Sequence, residues 1–250
     1  SLLRSAVLAA LLATTLQPAL AADKPHNVLI FVADGLRYVS VTPKSAPTLW
    51  RIKSQGVDFT NSHSLYPTIT TVNASAIATG HYIGDTGNFG NAIFSGFGTP
   101  PVIGFEDDKA LGEMNDHFGG NYLNETSLIA AAREAGFATA VMGKVGPTAI
   151  QDVTQRDGKG TIVVDDAFNT EEGITVAPDV LDAIKAAGLD STAPKVDAPN
   201  TKQQQYMISV ATKVVLPKLV ASGKPFAMLF WSRDPDLSQH IQTDKTINGP

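Results

Sequence analysis

The stretch NVLIFVADG, residues 27–35, decides the fold. It is a nearly continuous apolar run rich in β-branched residues, which is typical of a strand buried on both faces of a parallel sheet. The run stops at Asp34-Gly35, a pair that favours a turn. A second run, PFAMLFWSRD (225–234), has the same apolar character and also ends in acidic residues. Both predicted strands therefore deliver carboxylates to a sheet edge.

Helical and strand patterns alternate between these two runs. Helices are predicted at 46–56, 70–80, 126–137, 177–188 and 201–223, the last with a kink at Pro217. Further strands are predicted at 57–64, 138–144 and 161–166. This alternation predicts an α/β fold with a mostly parallel central sheet and helices on both faces. Ligands of such sheets bind beyond the carboxyl ends of the strands.

The composition of the chain excludes several partners and several kinds of chemistry. The chain has 250 residues, a net charge of −5 and no run of Lys or Arg, so we expect no nucleic-acid polymer as partner. It has no cysteine, which excludes disulfides, thiolate chemistry and cysteine-ligated zinc. A metal site would have to use carboxylates, imidazoles or hydroxyl oxygens.

The N-terminus has the pattern of a secretory signal peptide. Arg4 supplies a positive charge, residues 6–16 an apolar core too short to span a bilayer, and residues 19–21 a small-residue cleavage site. A buried helix of the mature fold is the alternative. We expect a partial signal peptide at 1–21, cleavage after Ala21, no stable membrane span, and a secreted or periplasmic protein.

Acidic residues at strand ends are the first candidate site residues. Asp34 could be a turn former or a metal ligand at the rim of the sheet. Asp236 and His240 lie four residues apart in RDPDLSQH (233–240), close enough to bind one metal ion. A carboxylate and an imidazole suit zinc. A solvated polar loop is the alternative interpretation.

The stretch YPTITTVNASAIATG (66–80) is the second candidate, because threonines crowd the start of a predicted helix. Unpaired backbone N–H groups and the helix dipole favour negative charge there. A threonine hydroxyl at this position could be a nucleophile if a divalent cation lowers its pKa. A helix cap is the simpler role for any one of these threonines.

These stretches together resemble the nucleotide pyrophosphatase/phosphodiesterase (type I phosphodiesterase) branch of the alkaline phosphatase superfamily. The positions that match the family pattern around its nucleophile are Pro67, Thr70, Asn73, Thr79-Gly80, Thr86-Gly87 and Asn91. The resemblance implies an alkaline phosphatase-like fold that is incomplete at the C-terminus. Residues 22–250 would be the N-terminal part of a single catalytic domain, with loop or cap insertions near 84–122 and 150–200.

The resemblance also implies roles for individual residues. Asp34 and Thr70 match ligands of one metal ion, and Asp236 and His240 match ligands of a second; the family uses two zinc ions. Thr70 matches the nucleophile, and Asn91 the amide that holds a phosphoryl oxygen. The family's later Asp-His pair and final histidine ligand have no counterpart in this sequence, and Asp116-His117 lies too early to supply them.

The function implied is metal-dependent hydrolysis of small phosphodiesters or nucleotide pyrophosphates through a covalent phospho-threonine. The neutral amide of Asn91 favours a singly charged diester. Lys144 could reach the site and favour a phosphomonoester, although a surface lysine at a strand end is the simpler expectation.

A phosphonate hydrolase and a non-catalytic exported metal- or phosphate-binding domain remain alternatives. A sulfatase is disfavoured, because the sequence around Thr70 has no Cys or Ser followed by Pro-x-Arg. The oligomeric state is left open.

Overall fold

The computed structural model describes residues 25–98 and 101–242. The signal peptide predicted at 1–21 lies outside these residues. No helix within the two described ranges combines the length and the apolar character needed to cross a membrane.

The described strands form two sheets. In chain order, β1 to β6 are Val28–Ala33, Ala92–Phe94, Val102–Gly104, Ala138–Gly143, Thr161–Asp165 and Phe226–Ser232. Strands β1, β6, β4 and β5 lie side by side in that order, and every pairing among them is parallel. Strands β2 and β3 form a separate antiparallel pair. The predicted α/β class with a mostly parallel central sheet is confirmed.

Helices pack around this central sheet. In the described chain, α1 to α10 are Pro47–Gln55, Thr70–Thr79, Ile83–Thr86, Asp108–His117, Leu128–Glu134, Pro147–Ile150, Pro178–Ala186, Thr201–Val210, Leu216–Ala221 and Asp236–Gln242. Two short 3₁₀ turns lie at Tyr38–Ser40 and Val153–Gln155. Helices α5, α6 and α9 contact the central strand β4, and the core between them includes the fully buried side chains of Met142, Ile150 and Leu219.

The long C-terminal helix is not uniform. Helix α8 continues without a break into α9 through a π-helical segment, Ala211–Val215. Pro217 follows two residues later. Proline lacks an N–H and crowds the carbonyl one turn earlier, so an α-helix has to adjust before it. The distortion expected at Pro217 is therefore accommodated by a wider helical turn.

Two strand expectations are wrong. Strand β1 is not buried on both faces: Leu29 and Phe31 are 58% and 50% exposed, because β1 lies at the edge of the described sheet and pairs only with β6. Residues 57–64 form no strand. Val57 and Phe59 are both 77% exposed, and no neighbouring strand pairs with them in the described chain. Alternating polarity does not make a strand where no partner strand is present.

Candidate active site

Asp34 and Asp236 meet at the carboxyl edge of two neighbouring strands, β1 and β6. The N–H of Asp34 donates to the carbonyl of Ser232 at 3.1 Å, and the N–H of Asp236 donates to the carbonyl of Asp34 at 2.9 Å. Gly35, the residue after Asp34, has φ +70°, and a Cβ at this position would lie 2.9 Å from the Cα of Asp236. The glycine after Asp34 therefore permits both the turn and the close approach of the two acidic segments.

Thr70 is the first residue of α2. The residue before it, Ile69, is in the N-cap position with extended backbone, and its own side chain makes no capping hydrogen bond. The Thr70 hydroxyl instead faces Asp34, with Oγ1 3.5 Å from Oδ2. The capping role considered for Thr70 is thus not the one it has in the structure.

Thr71, the next residue, is buried and binds the loop that carries Asn91. Its N–H and its hydroxyl both donate to Asn91 Oδ1 at 3.0 Å, and the hydroxyl also lies 2.9 Å from the carbonyl of Gly90. Because these donors require an acceptor, the oxygen of the Asn91 amide faces the helix and its Nδ2 faces away. Asn91 and Thr70 line the same cleft.

Asn73 fixes the chain where it enters α2. Its Oδ1 accepts from the N–H of Leu65 at 2.8 Å, and its Nδ2 donates to the carbonyl of Ile69 at 3.0 Å. The asparagine three residues after Thr70 therefore serves the backbone that presents the threonine.

Lys144 lies in the middle of this group, so the expectation of a surface lysine is wrong. Its side chain is 4% exposed. Nζ lies 3.0 Å from Asp34 Oδ2, 3.3 Å from Asp236 Oδ2 and 3.3 Å from Thr70 Oγ1. Glu106, which sequence reasoning missed, completes the shell with Oε1 at 2.8 Å. Glu106 lies in an aperiodic stretch, and nothing in that pattern points to an active-site role.

The electrostatics keep Lys144 charged. Burial is the largest influence and lowers its pKa, but the attraction of Asp34, Glu106 and Asp236 together outweighs it, and the net pKa is raised. Three carboxylates surround one ammonium. The Nε1–H of Trp231 also donates to Asp34 Oδ2, at 3.1 Å.

His240 is on α10, one turn after Asp236. Its Nε2 lies 3.3 Å from Asp236 Oδ1, and its side chain is 78% exposed. Asp34, Thr70, Asp236 and His240 all line one open cleft of about 920 Å³. The structure therefore brings every candidate site residue predicted from the sequence to one place.

Three of the remaining described histidines have contacts of their own. His81 faces Asp85 and Glu125, and His63 bonds with Asn61. The Asp-His dipeptide at 116–117 is apart from the cleft. Asp116 pairs with Arg156, and the imidazole of His117 stacks on the ring of Phe97.

Two pairs of possible metal donors line the cleft. Among the described residues no three His, Asp or Glu side chains are arranged to hold one metal ion. Asp34 and Thr70 form one pair of oxygen donors, and Asp236 and His240 form a carboxylate–imidazole pair, which suits zinc. The excess of carboxylates over ammonium around Lys144 leaves negative charge that divalent cations would neutralise.

Comparison with known proteins identifies the family of the chain. Residues 28–248 match the family of type I phosphodiesterases and nucleotide pyrophosphatases, and the chain belongs to this family. A search of curated proteins found no match.

Among solved structures, the chain is similar to a phosphonoacetate hydrolase from Sinorhizobium meliloti 1021, determined in complex with phosphonoacetate. The TM-score is 0.52 and the sequence identity 18%, over 87% of this chain and 47% of that chain. This likeness concerns the fold. The chain spans about half the length of the protein it matches.

Proposed function

We propose that the protein hydrolyses phosphodiesters or nucleotide pyrophosphates, with Thr70 as the nucleophile that forms a covalent intermediate. The observation that carries the proposal is the environment of the Thr70 hydroxyl. It lies at the start of α2, 3.5 Å from Asp34 Oδ2 and 3.3 Å from Lys144 Nζ. Membership of the phosphodiesterase family supports the reaction class.

In the first step, the Thr70 oxygen attacks phosphorus while the bond to the leaving alcohol or phosphate breaks, and the hydroxyl proton passes by way of Asp34 to the leaving oxygen. The hydroxyl donates to Asp34, which directs its lone pairs away from that carboxylate, and the ammonium of Lys144 favours the ionised oxygen. In the second step, water attacks the same phosphorus, the bond to Thr70 breaks, and one proton of the water passes to the Thr70 oxygen, which restores the hydroxyl.

Charge develops on the non-bridging oxygens during both steps. The Nδ2 of Asn91 faces away from α2 and has no acceptor among the described residues, and Asn91 is one of the residues that line the cleft with Thr70. A neutral donor held in this way stabilises developing negative charge without reorganisation. Because the Asn91 amide is neutral, it suits a substrate with one negative charge better than a dianion.

Two divalent metal ions, which we propose to be zinc, would be held by Asp34 with Thr70 and by Asp236 with His240. When bound, they would supply positive charge that lowers the pKa of the Thr70 hydroxyl and balances the leaving oxygen.

The experiment compares variants of the whole protein on bis-p-nitrophenyl phosphate with zinc present. Thr70→Ala should abolish turnover, and Thr70→Ser should retain part of it, because the hydroxyl is preserved. Thr68→Ala is the matched control, since Thr68 lines the same cleft. Equal turnover in the Thr70→Ala variant would remove Thr70 as the nucleophile. Absence of turnover in every variant and in the parent would favour the non-catalytic binding domain.

A second candidate function is hydrolysis of a phosphomonoester or a phosphonate. The observation that favours it is Lys144, whose ammonium lies 3.3 Å from the Thr70 hydroxyl oxygen and could attract a doubly charged phosphoryl or phosphonyl group bound there. The similar solved structure is of a phosphonoacetate hydrolase. The ratio of kcat/KM for bis-p-nitrophenyl phosphate, p-nitrophenyl phosphate and phosphonoacetate decides between the two candidates.

We propose further that the protein is exported, on the basis of the signal-peptide pattern at residues 1–21. N-terminal sequencing of the mature protein from the periplasm or medium should begin at Ala22. A cytoplasmic product that retains residues 1–21 would contradict export.

A further inference from the structure

The turn that carries Lys144 is fixed by buried carboxyl groups. After β4, the N–H of Lys144 donates to the carbonyl of Trp231 at 2.9 Å. The next two N–H groups go to side chains: that of Val145 to Asp166 Oδ1 at 3.0 Å, and that of Gly146 to Asp108 Oδ1 at 2.8 Å. Two aspartates from distant parts of the chain therefore set the direction in which Lys144 leaves the sheet.

Asp108 has one carboxyl oxygen that nothing satisfies. Its Oδ1 accepts from Gly146, but its Oδ2 is fully buried and has no donor among the described residues. The exposed fractions of Asp108 and Asp165 are 4% and 0%, so both carboxyl groups are removed from water. An ionised oxygen in this position would be a buried charge without a partner, whereas a protonated oxygen is neutral and can donate.

The partners of the two groups indicate which one carries the proton. Both oxygens of Asp165 accept backbone N–H groups, Oδ1 from Ala167 at 2.6 Å and Oδ2 from Ile174 at 2.7 Å. Asp108 accepts only from Gly146, through Oδ1. Asp165 therefore has the environment of a carboxylate, and Asp108 that of a carboxylic acid.

The surrounding charges agree with this assignment. Burial raises the pKa of Asp108 well above its ordinary value, and the negative charge of Asp165 raises it further. Burial also raises the pKa of Asp165, and the hydrogen bonds it accepts, those from the two amides included, oppose this rise without cancelling it. Asp166 is the other facing carboxylate, and it is paired with Arg233, whose Nη2 donates to Oδ1 at 2.8 Å.

We propose that Asp108, as the neutral acid, is a positioning residue for the active site. It accepts from Gly146 through Oδ1 and donates to Asp165 through Oδ2, and so holds the turn that brings Lys144 to Thr70. The activity measurements below depend on the proposed function, whereas the unfolding measurements do not.

Substitution by asparagine tests the proton assignment. Asp108→Asn keeps an acceptor for Gly146 and gives Asp165 a permanent N–H donor, so this variant should fold and retain activity within about threefold. Asp165→Asn should lower the melting temperature at every pH, because its amide cannot accept from both backbone N–H groups. A damaging Asp108→Asn together with a tolerated Asp165→Asn would overturn the assignment.

The pH dependence of unfolding gives a test that is independent of catalysis. A group with a raised native pKa binds its proton more tightly when folded, so its contribution is complete at low pH and is lost as pH rises through the native pKa. Asp108→Asn removes that loss. The melting temperature of the variant minus that of the parent should therefore increase from acidic to alkaline pH. A difference that stays constant with pH would overturn the shared proton.

A double-mutant cycle tests whether Asp108 acts through Lys144. Asp108→Ala should lower kcat by about tenfold or more in the parent and by less than about twofold in a Lys144→Met background. An equal loss in both backgrounds would mean that Asp108 does not act through Lys144. If Thr70→Ala leaves activity unchanged, the proposed function fails, while the unfolding results still decide the carboxyl pair.

Discussion

The ammonium of Lys144 lies 3.3 Å from the hydroxyl oxygen of Thr70, across 74 positions of sequence. One residue follows the central strand β4, and the other begins a helix that contacts α6 beyond that strand. The contact places a permanent cation beside the proposed nucleophile. It also links the threonine to the acidic residues at the ends of β1 and β6, since Lys144 contacts Asp34 and Asp236.

Replacing Lys144 by methionine should lower kcat/KM for bis-p-nitrophenyl phosphate by about 10²- to 10³-fold, the effect of removing one preorganised electrostatic partner. The stem of the side chain is retained, but the three carboxylates around it lose their common cation. Lys109→Met is the control, because Lys109 is exposed. Equal kinetics in the two variants would exclude Lys144 from the reaction.

Replacing Asn91 by aspartate separates its two roles. The carboxylate still accepts from the N–H and hydroxyl of Thr71, so the melting temperature should change little. The donor that faces the cleft becomes a negative oxygen, and kcat should fall by about 10²-fold or more. A large loss of thermal stability with unchanged kcat would assign Asn91 to structure alone.

Replacing Gly35 by alanine should destabilise the fold by about 1–3 kcal/mol, since the residue has φ +70° and its new Cβ would press on Asp236. Activity should fall as well, because the two acidic segments separate. Gly84→Ala is the matched control: nothing lies within 4 Å of its added Cβ, and its free energy of unfolding should change by less than about 1 kcal/mol. Chemical denaturation of both variants measures the difference.

Removing divalent metal with a chelator should abolish turnover, and zinc should restore it. His240→Ala should raise the zinc concentration for half-maximal activity by at least about 10- to 100-fold, because it removes the imidazole of one donor pair. His81→Ala is the control, since His81 lines the same cleft but faces Asp85 and Glu125. Activity that persists after exhaustive chelation would contradict the metal requirement.

The sequence predicted the parts of the site that follow from strand ends and helix starts. Asp34 directly follows β1, Asp236 begins the helix that comes shortly after β6, and Thr70 begins a helix after a proline. Local pattern and sheet topology were therefore enough to bring these three residues together. The exposure of β1 was not predictable, because it depends on which strands lie beside β1 in the sheet.

The charged partners were harder to predict. Lys144 reaches Thr70 because the turn after β4 is bonded to Asp108 and Asp166, and both of these contacts are between residues far apart in the chain. Glu106 lies in a stretch without periodicity and reaches Lys144 only through the packing of that segment. Such contacts leave no periodic signal in a single sequence.

The most direct test of the central claim is to trap the covalent intermediate. The whole protein, incubated with bis-p-nitrophenyl phosphate and quenched in acid during turnover, should give a peptide whose Thr70 carries phosphorus with one nitrophenyl group still attached, as seen by mass spectrometry. The adduct should be absent from Thr70→Val and present in Thr68→Val. Turnover with no adduct on Thr70, or with the adduct on another residue, would contradict the account.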